Sequence, residues 1–421
     1  MGFSWAIEMA KDLKKFVNPK FVRTVDLALL RRLLERHADA LQGLDLSGFG
    51  TDPDQTRRWV QDFFAGAEEN YPEGLVADLH RIAELGNANG LQLLLEQARR
   101  RNVEITPAND EDAKETRQDP KHVALRLFLD HPSVFDAASD MMSYTTLSSF
   151  SEFAGIDEGV EAQIDEEARD AFQREAERIF EADLRGRYCR IGWYDDGDEV
   201  NVVVTHGAPL KTTEVIEAGA DRVISFREAE HAVLSYSASS GRLKVGGFAK
   251  SRRAELAEIF ATTMLKRPRF FAAPDAQNLY TLAPVERAGF AFTFQHAFDP
   301  GIRRVQIIEV QADRLGTDQR SGETRTFWSH VTRDGRDNAL ARLGEGTRGI
   351  VFGADWRLNH MVIRVHIDVG GPKPARVTVK LKPPSTAMFK RHRFESRIMT
   401  LLRRNGLVHD REPDQAAVAA E

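Results

Sequence analysis

From about residue 20 to residue 155 the apolar residues recur every three or four positions: Leu27, Leu30 and Leu34, then Trp59, Phe63 and Phe64, then Leu75, Leu79 and Ile82. The runs ANGLQLLLEQARRR and KHVALRLFLDHPSVF continue the pattern. This spacing places the apolar side chains on one face of successive helices. It predicts a helical domain over residues 1–158, with the polar insert 106–122 as a loop inside it. A further helix carries Ala168, Phe172, Ala176 and Phe180 on one stripe and ends near Gly186.

Beyond Gly186 the period changes from about 3.6 to two. RYCRIGWYDDGDEVNVVVTHG reads as two strands around Asp-Asp-Gly-Asp, and AVLSYSASSGRLKVGG as two more around Ser-Ser-Gly. SRRAELAEIFATTML predicts a helix, and GFAFTFQHAF and IRRVQIIEV predict strands. HMVIRVHIDV and ARVTVKLK form a third hairpin around GGPKP, with a basic helix after it. Strands joined by short turns imply mainly antiparallel sheets. The fold class is therefore α+β: a helical N-terminal domain, then a larger sheet region with packed helices, ending in a basic hairpin-helix unit. Residues 1–158, 159–325 and 326–421 are the expected domains.

Charge changes this picture most near the C-terminus. The chain carries a formal net charge of -6, yet residues 373–404 hold ten Lys and Arg against one acid, Glu395, a net of +9 that leaves the remainder at -15. The expected helix starts at Ser385 or Thr386 and ends at Gly406. Phe394, Ile398, Leu401 and Leu402 fall on one side of it, and Arg393, Arg397 and Arg404 line up on another with Lys390 at the border. Lys380 and Lys382 share one face of the preceding strand. A row of cations held away from a buried stripe suits phosphate binding with release of counterions. These six residues are the candidate nucleic-acid site. The hairpin precedes the helix, the reverse of the winged-helix order, so no family membership follows.

Two rival functions come from other classes. Asp299, in a turn, and Glu309, on a strand, resemble the metal-holding pair of restriction-type nucleases, with Gln311 where that arrangement has Lys. Alternatively the protein is an interaction or scaffold module whose helical domain takes a protein partner. Gly344, Gly346 and Gly349 match G-x-G-x-x-G in letters only, since a helix precedes them and a strand follows, the reverse of a dinucleotide site. They read as a helix stop and a turn. His366 and Asp368 are two ligands without a third, His206 reads as a loop histidine, and Phe270 and Phe271 as core anchors. No cofactor is implied. Cys189 is the single cysteine, and alternation places it on a buried face with Ile191 and Trp193. A lone thiol, no secretion-signal pattern and no run of eighteen apolar residues imply a cytoplasmic protein without a membrane span.

Overall fold

A computed structural model of the chain describes residues 25–38, 41, 46, 49, 51–65, 71–105, 119–147, 149–195, 199–217, 220–318, 322–346, 349–371, 374–389 and 394–409. The chain divides into two compact units, Met1–Ser143 and Tyr144–Glu421. The described residues form eleven α-helices and three antiparallel sheets, a mixed α+β fold with the helices first. No helix among them is long and apolar enough to cross a membrane.

The first unit contains α1 (Leu27–Glu35), α2 (Pro53–Ala65), α3 (Glu73–Leu85), α4 (Ala88–Arg100), α5 (Pro120–Asp130) and most of α6 (Pro132–Thr146). Polar residues fix the starts of three helices: Asp26 Oδ1 accepts from the Ala28 amide at 2.9 Å, Asn87 Oδ1 from Asn89 at 3.0 Å and Asp119 Oδ1 from Lys121 at 2.8 Å. Asp119-Pro120 therefore opens a helix with Pro at its first position, and residues 119–122, expected as loop, begin α5. Helix α5 packs against α1, α3 and α4, and Val123, Ala124, Leu125, Leu127 and Phe128 are all buried. Its apolar surface extends nearly all round because it has neighbours on several sides.

The second unit has two five-stranded sheets. In the first, the order is β1 (Phe150–Ala154), β7 (Arg242–Gly246), β6 (Ala229–Ser237), β3 (Glu199–Gly207), β2 (Cys189–Asp195). Helices α7 (Glu166–Ala182) and α8 (Arg253–Thr263) pack on it, and Phe172, Phe180, Tyr236 and Phe260 are fully buried there. The expected stripe of α7 and the first two expected hairpins, β2–β3 and β6–β7, are present. Residues 150–154 depart from the expected helical domain: they form β1, paired with β7, so this segment belongs to the sheet region. Between β3 and β6 the hairpin continues as a separate ribbon, β4 (Lys211–Glu217) and β5 (Ala220–Phe226), hydrogen-bonded to neither large sheet.

The second sheet runs β12 (Thr386–Met388), β11 (Ala375–Lys382), β10 (Trp356–Ile367), β8 (Ile302–Thr317), β9 (Thr324–Arg333). Residue 325, the expected domain boundary, lies inside β9. One face holds Val310, Met361, Ile363, Val365, Val377, Val379 and Leu381 in a single core with residues from α9 (Ala283–Ala288), α10 (Ala339–Gly346) and α11 (Glu395–Arg404). Residues 289–298, expected as a strand, form a short 3-10 turn at Gly289–Ala291 and then unpaired chain. Phe290, Phe292 and Phe294 pack against the core, so the aromatic alternation is satisfied without a ladder.

Candidate nucleic-acid interface

Helix α11 is shorter than the basic run predicts. Thr386–Met388 pairs with β11 as an edge strand and buries Ala387, and the helix begins at Glu395 without a side-chain cap. Its end matches expectation: Gly406 has φ 69°, its amide donates to Arg403 O at 2.9 Å, and that of Leu407 to Leu402 O at 3.0 Å. Ile398, Leu401 and Leu402 are fully buried, worth roughly 1.5–3 kcal/mol each.

The described cations of this run are dispersed. Arg397 pairs with Asp299, Nε to Oδ2 at 2.8 Å, and Asp299 also accepts from the Gly301 amide at 2.9 Å. Arg404 is exposed in the last helical turn, where the helix dipole favours it. Lys390 and Arg393 lie outside the described residues. Glu395 is held by Lys244 Nζ at 2.6 Å and by the Tyr144 hydroxyl at 3.0 Å.

Lys380 and Lys382 share a face of β11, as their spacing predicts. That face is opposite to Val377, Val379 and Leu381, which share the core with α11. The hairpin lysines and the helical arginines thus sit on different sides of one sheet. They do not make a single surface.

Cross-strand register assembles another set of cations. On the outer face, His366 of β10 lies opposite Arg304 of β8 and Arg376 of β11, which makes a three-strand row Arg-His-Arg. Residues directly opposite in an antiparallel pair project to the same side. The next row is Gln306, Arg364 and Thr378, and the one after it Glu309, Val362 and Lys380. Strand spacing puts the β8 and β11 members of a row roughly 10 Å apart. Arg304 and Arg376 are exposed, and Arg364 and Lys380 half-buried. Among the described residues none of these four has a carboxylate partner; Arg304 donates only to the Arg336 carbonyl at 3.2 Å.

His366 marks the centre of the positive field. Its Nε2 is shielded from solvent and has no hydrogen-bond partner among the described residues. Burial, with Arg376, Arg304 and Arg364 around it, holds its pKa below the usual histidine value.

The third row interrupts the positive region. Glu309 binds Arg333 at 2.5 Å and His360 Nε2 at 2.8 Å, and these bonds hold its carboxyl below the ordinary range. Asp299 lies in the turn before β8, whereas Glu309 is seven residues into that continuous strand, roughly 23 Å from Ile302. The two carboxylates do not converge. Among the described residues no group of three His, Cys, Asp or Glu is placed to hold a metal.

The remaining candidates have structural partners. Cys189 is buried and its thiol is pushed up to about 12, first by burial and then by Glu177. We predict that a chromogenic thiol reagent leaves the native protein unlabelled at pH 8 and labels it once urea unfolds it; rapid native labelling would place the sulfur in solvent instead. His206 is not on a loop. It is fully buried in β3, stacked on Phe180 at 4.1 Å, with Nδ1 2.9 Å from the Gly207 carbonyl oxygen. Asp368 lies beyond β10 and is held by Arg303 at 2.5 Å, away from any joint site with His366. Phe270 and Phe271 are core residues, and the glycines at 344–349 end α10 and make a turn with Gly349 at φ 91°.

Arg304 and Arg364 carry no signal of their own in the sequence, and Arg376 stands there only as part of a charge run. Each is one polar position in an alternating strand, and only the register of β8, β10 and β11 gathers them. Compared with known proteins, the chain matches no family model and no curated relative.

Proposed function

We propose that the protein binds nucleic acid on the outer face of the second sheet, through Arg304, Arg364, Arg376, Lys380 and Lys382. The supporting observation is the row Arg304-His366-Arg376, in which cations surround a buried imidazole nitrogen without a counter-carboxylate among the described residues. Such a field lowers its energy by taking up anions, and a phosphate chain supplies them at regular spacing. The rows contain no Phe, Tyr or Trp, so the face contacts backbone phosphates and carries little base readout. The strongly acidic remainder of the chain repels the same polymer and confines it to this face. The lone, buried thiol fits a reducing, cytoplasmic setting.

The test is a salt titration of binding to labelled single-stranded and duplex DNA and RNA. Affinity is expected to fall linearly with salt on logarithmic axes; absence of binding at 50 mM salt removes the proposal. A bound phosphate also favours the protonated form of His366. The site then takes up a proton, and affinity rises as pH is lowered through and below 6.5. The groups around the imidazole are Arg304 and Gln306 from β8, Arg364 from β10, and Arg376 and Thr378 from β11. Loss of the pH dependence in His366→Gln is the expected outcome; an unchanged profile assigns the proton to another group.

A protein partner is the second reading, and β9 favours it. Phe327 and Trp328 on this edge strand are 66% and 65% exposed, and an edge strand offers unpaired backbone groups. Co-purification of a stoichiometric protein that is lost in Trp328→Ser would support it.

A further inference from the structure

Residues 302–307 of β8 pair with no described strand on the β9 side. The pairing of β8 with β9 begins only at Glu309, whereas β10 already pairs from Ile302 on the other side. Beside residues 304–307 the chain segment 292–296 and the turn at Asp337 enclose an open cleft of about 250 Å³. Phe292 and Phe294 line it, ring centroids 5.2 Å apart and nearly perpendicular. Gln306 donates to the Asp337 carbonyl at 2.9 Å, which fixes the amide at the wall. Arg304, the β8 member of the cation row, also lines the cleft, so cleft and row adjoin.

We infer that this cleft takes one unstacked base of a single-stranded nucleic acid, while the adjoining phosphates rest on Arg304 and its row. The inference rests on the nucleic-acid reading above and narrows its ligand class. Size is the first argument: the volume lies below the ~300–1,000 Å³ of drug-sized sites, which suits a single planar ring system. Shape is the second, because phenyl side chains accept a base of any identity by stacking or edge contact. Charge decides the orientation. The Asp337 side chain makes no ion pair among the described residues, and its carboxylate repels phosphate. It accepts instead from an amino group on a base edge, as carboxylates do from cytosine N4. The base therefore points inward and the phosphate outward.

Two consequences follow for the full chain. Single strands bind better than a duplex of the same sequence, because a paired base cannot leave its stack without cost. Oligo(dC) binds better than oligo(dT), by about tenfold, since thymine offers no exocyclic amino group. Asp337→Ala and Phe294→Leu are the tests, measured by fluorescence anisotropy with oligo(dC), oligo(dT) and a mixed duplex, with circular dichroism to confirm folding. Asp337→Ala is expected to erase the dC preference, and Phe294→Leu to weaken both single strands about fivefold or more; duplex affinity falls in neither. Equal single-strand and duplex affinity in the unaltered protein, or unchanged dC binding in both variants, overturns the cleft and leaves the phosphate face standing. Failure to bind any of the three overturns the nucleic-acid reading itself.

Discussion

Replacing Arg304, Arg364 and Arg376 together by alanine is expected, on the proposed sheet face, to lower affinity for a single-stranded oligonucleotide by about a hundredfold at low salt. That figure assumes a low ~1 kcal/mol for each charge-assisted phosphate contact. The logarithmic salt slope falls by about 2 at the same time, since each phosphate contact on a single strand contributes about 0.7. The control pair is Arg397→Ala with Arg404→Ala. Arg397 is already neutralised by Asp299, and α11 projects its cations from the other side of the sheet, so this pair changes binding little. The contrast decides between two surfaces of one molecule. Loss of affinity in the helix pair with none in the sheet triple would transfer the site to α11, where the local concentration of charge in the sequence first suggests it.

Glu395→Ala is expected to cost the second unit about 3 kcal/mol, the low end of what removing one partner of a buried ion pair costs. Lys244 and Glu395 are only 14% and 17% exposed, and the Tyr144 hydroxyl also donates to the carboxylate. Glu395 also occupies the first turn of α11, where negative charge meets the positive end of the helix dipole. The one acid in the basic run is therefore the anchor by which α11 is tied to Lys244 on β7 of the first sheet. Urea unfolding followed by tryptophan fluorescence measures the loss. Glu395→Gln, which retains hydrogen bonding to Tyr144, should lose less. A change under about 1 kcal/mol for the alanine variant would mean that Glu199, 4.0 Å from Lys244, takes over as its partner when Glu395 is gone.

Much of the architecture is written in local spacing. Ala168, Phe172, Ala176 and Phe180 are four positions apart and all fully buried, so the stripe of α7 is legible without any tertiary knowledge. Cys189 and the three hairpins follow from period-two alternation in the same way. What escapes is structure whose pattern has no period. All five residues of β1 are buried, so its burial carries no alternation. Strand β9 is exposed at eight of ten positions, so its apolar residues trace no face. Residues 289–298 fail in the opposite direction, with an alternating pattern that no partner strand uses.

The proposed binding surface escapes for a different reason. Arg304 and Arg376 are far apart in the chain and meet only across His366. Irregular register at Val362/Ile363 and His366/Ile367 shifts the phase between β8 and β10, which counting along either strand cannot foresee. Charge density along the chain pointed to residues 373–404, but density along a chain and density on a surface are different quantities. The same run supplies Arg376, Lys380 and Lys382 to the sheet face and Arg397 to an internal ion pair.

The ribbon β4–β5 has a separate implication. Gly207 pairs with Ala229, and the Ala208 amide donates to Glu228 O at 2.7 Å, so the first sheet is already closed at the ribbon's base. Everything distal to that closure adds length without adding a layer to the core. A reporter or affinity tag spliced into its tip is expected to leave the body of the molecule untouched.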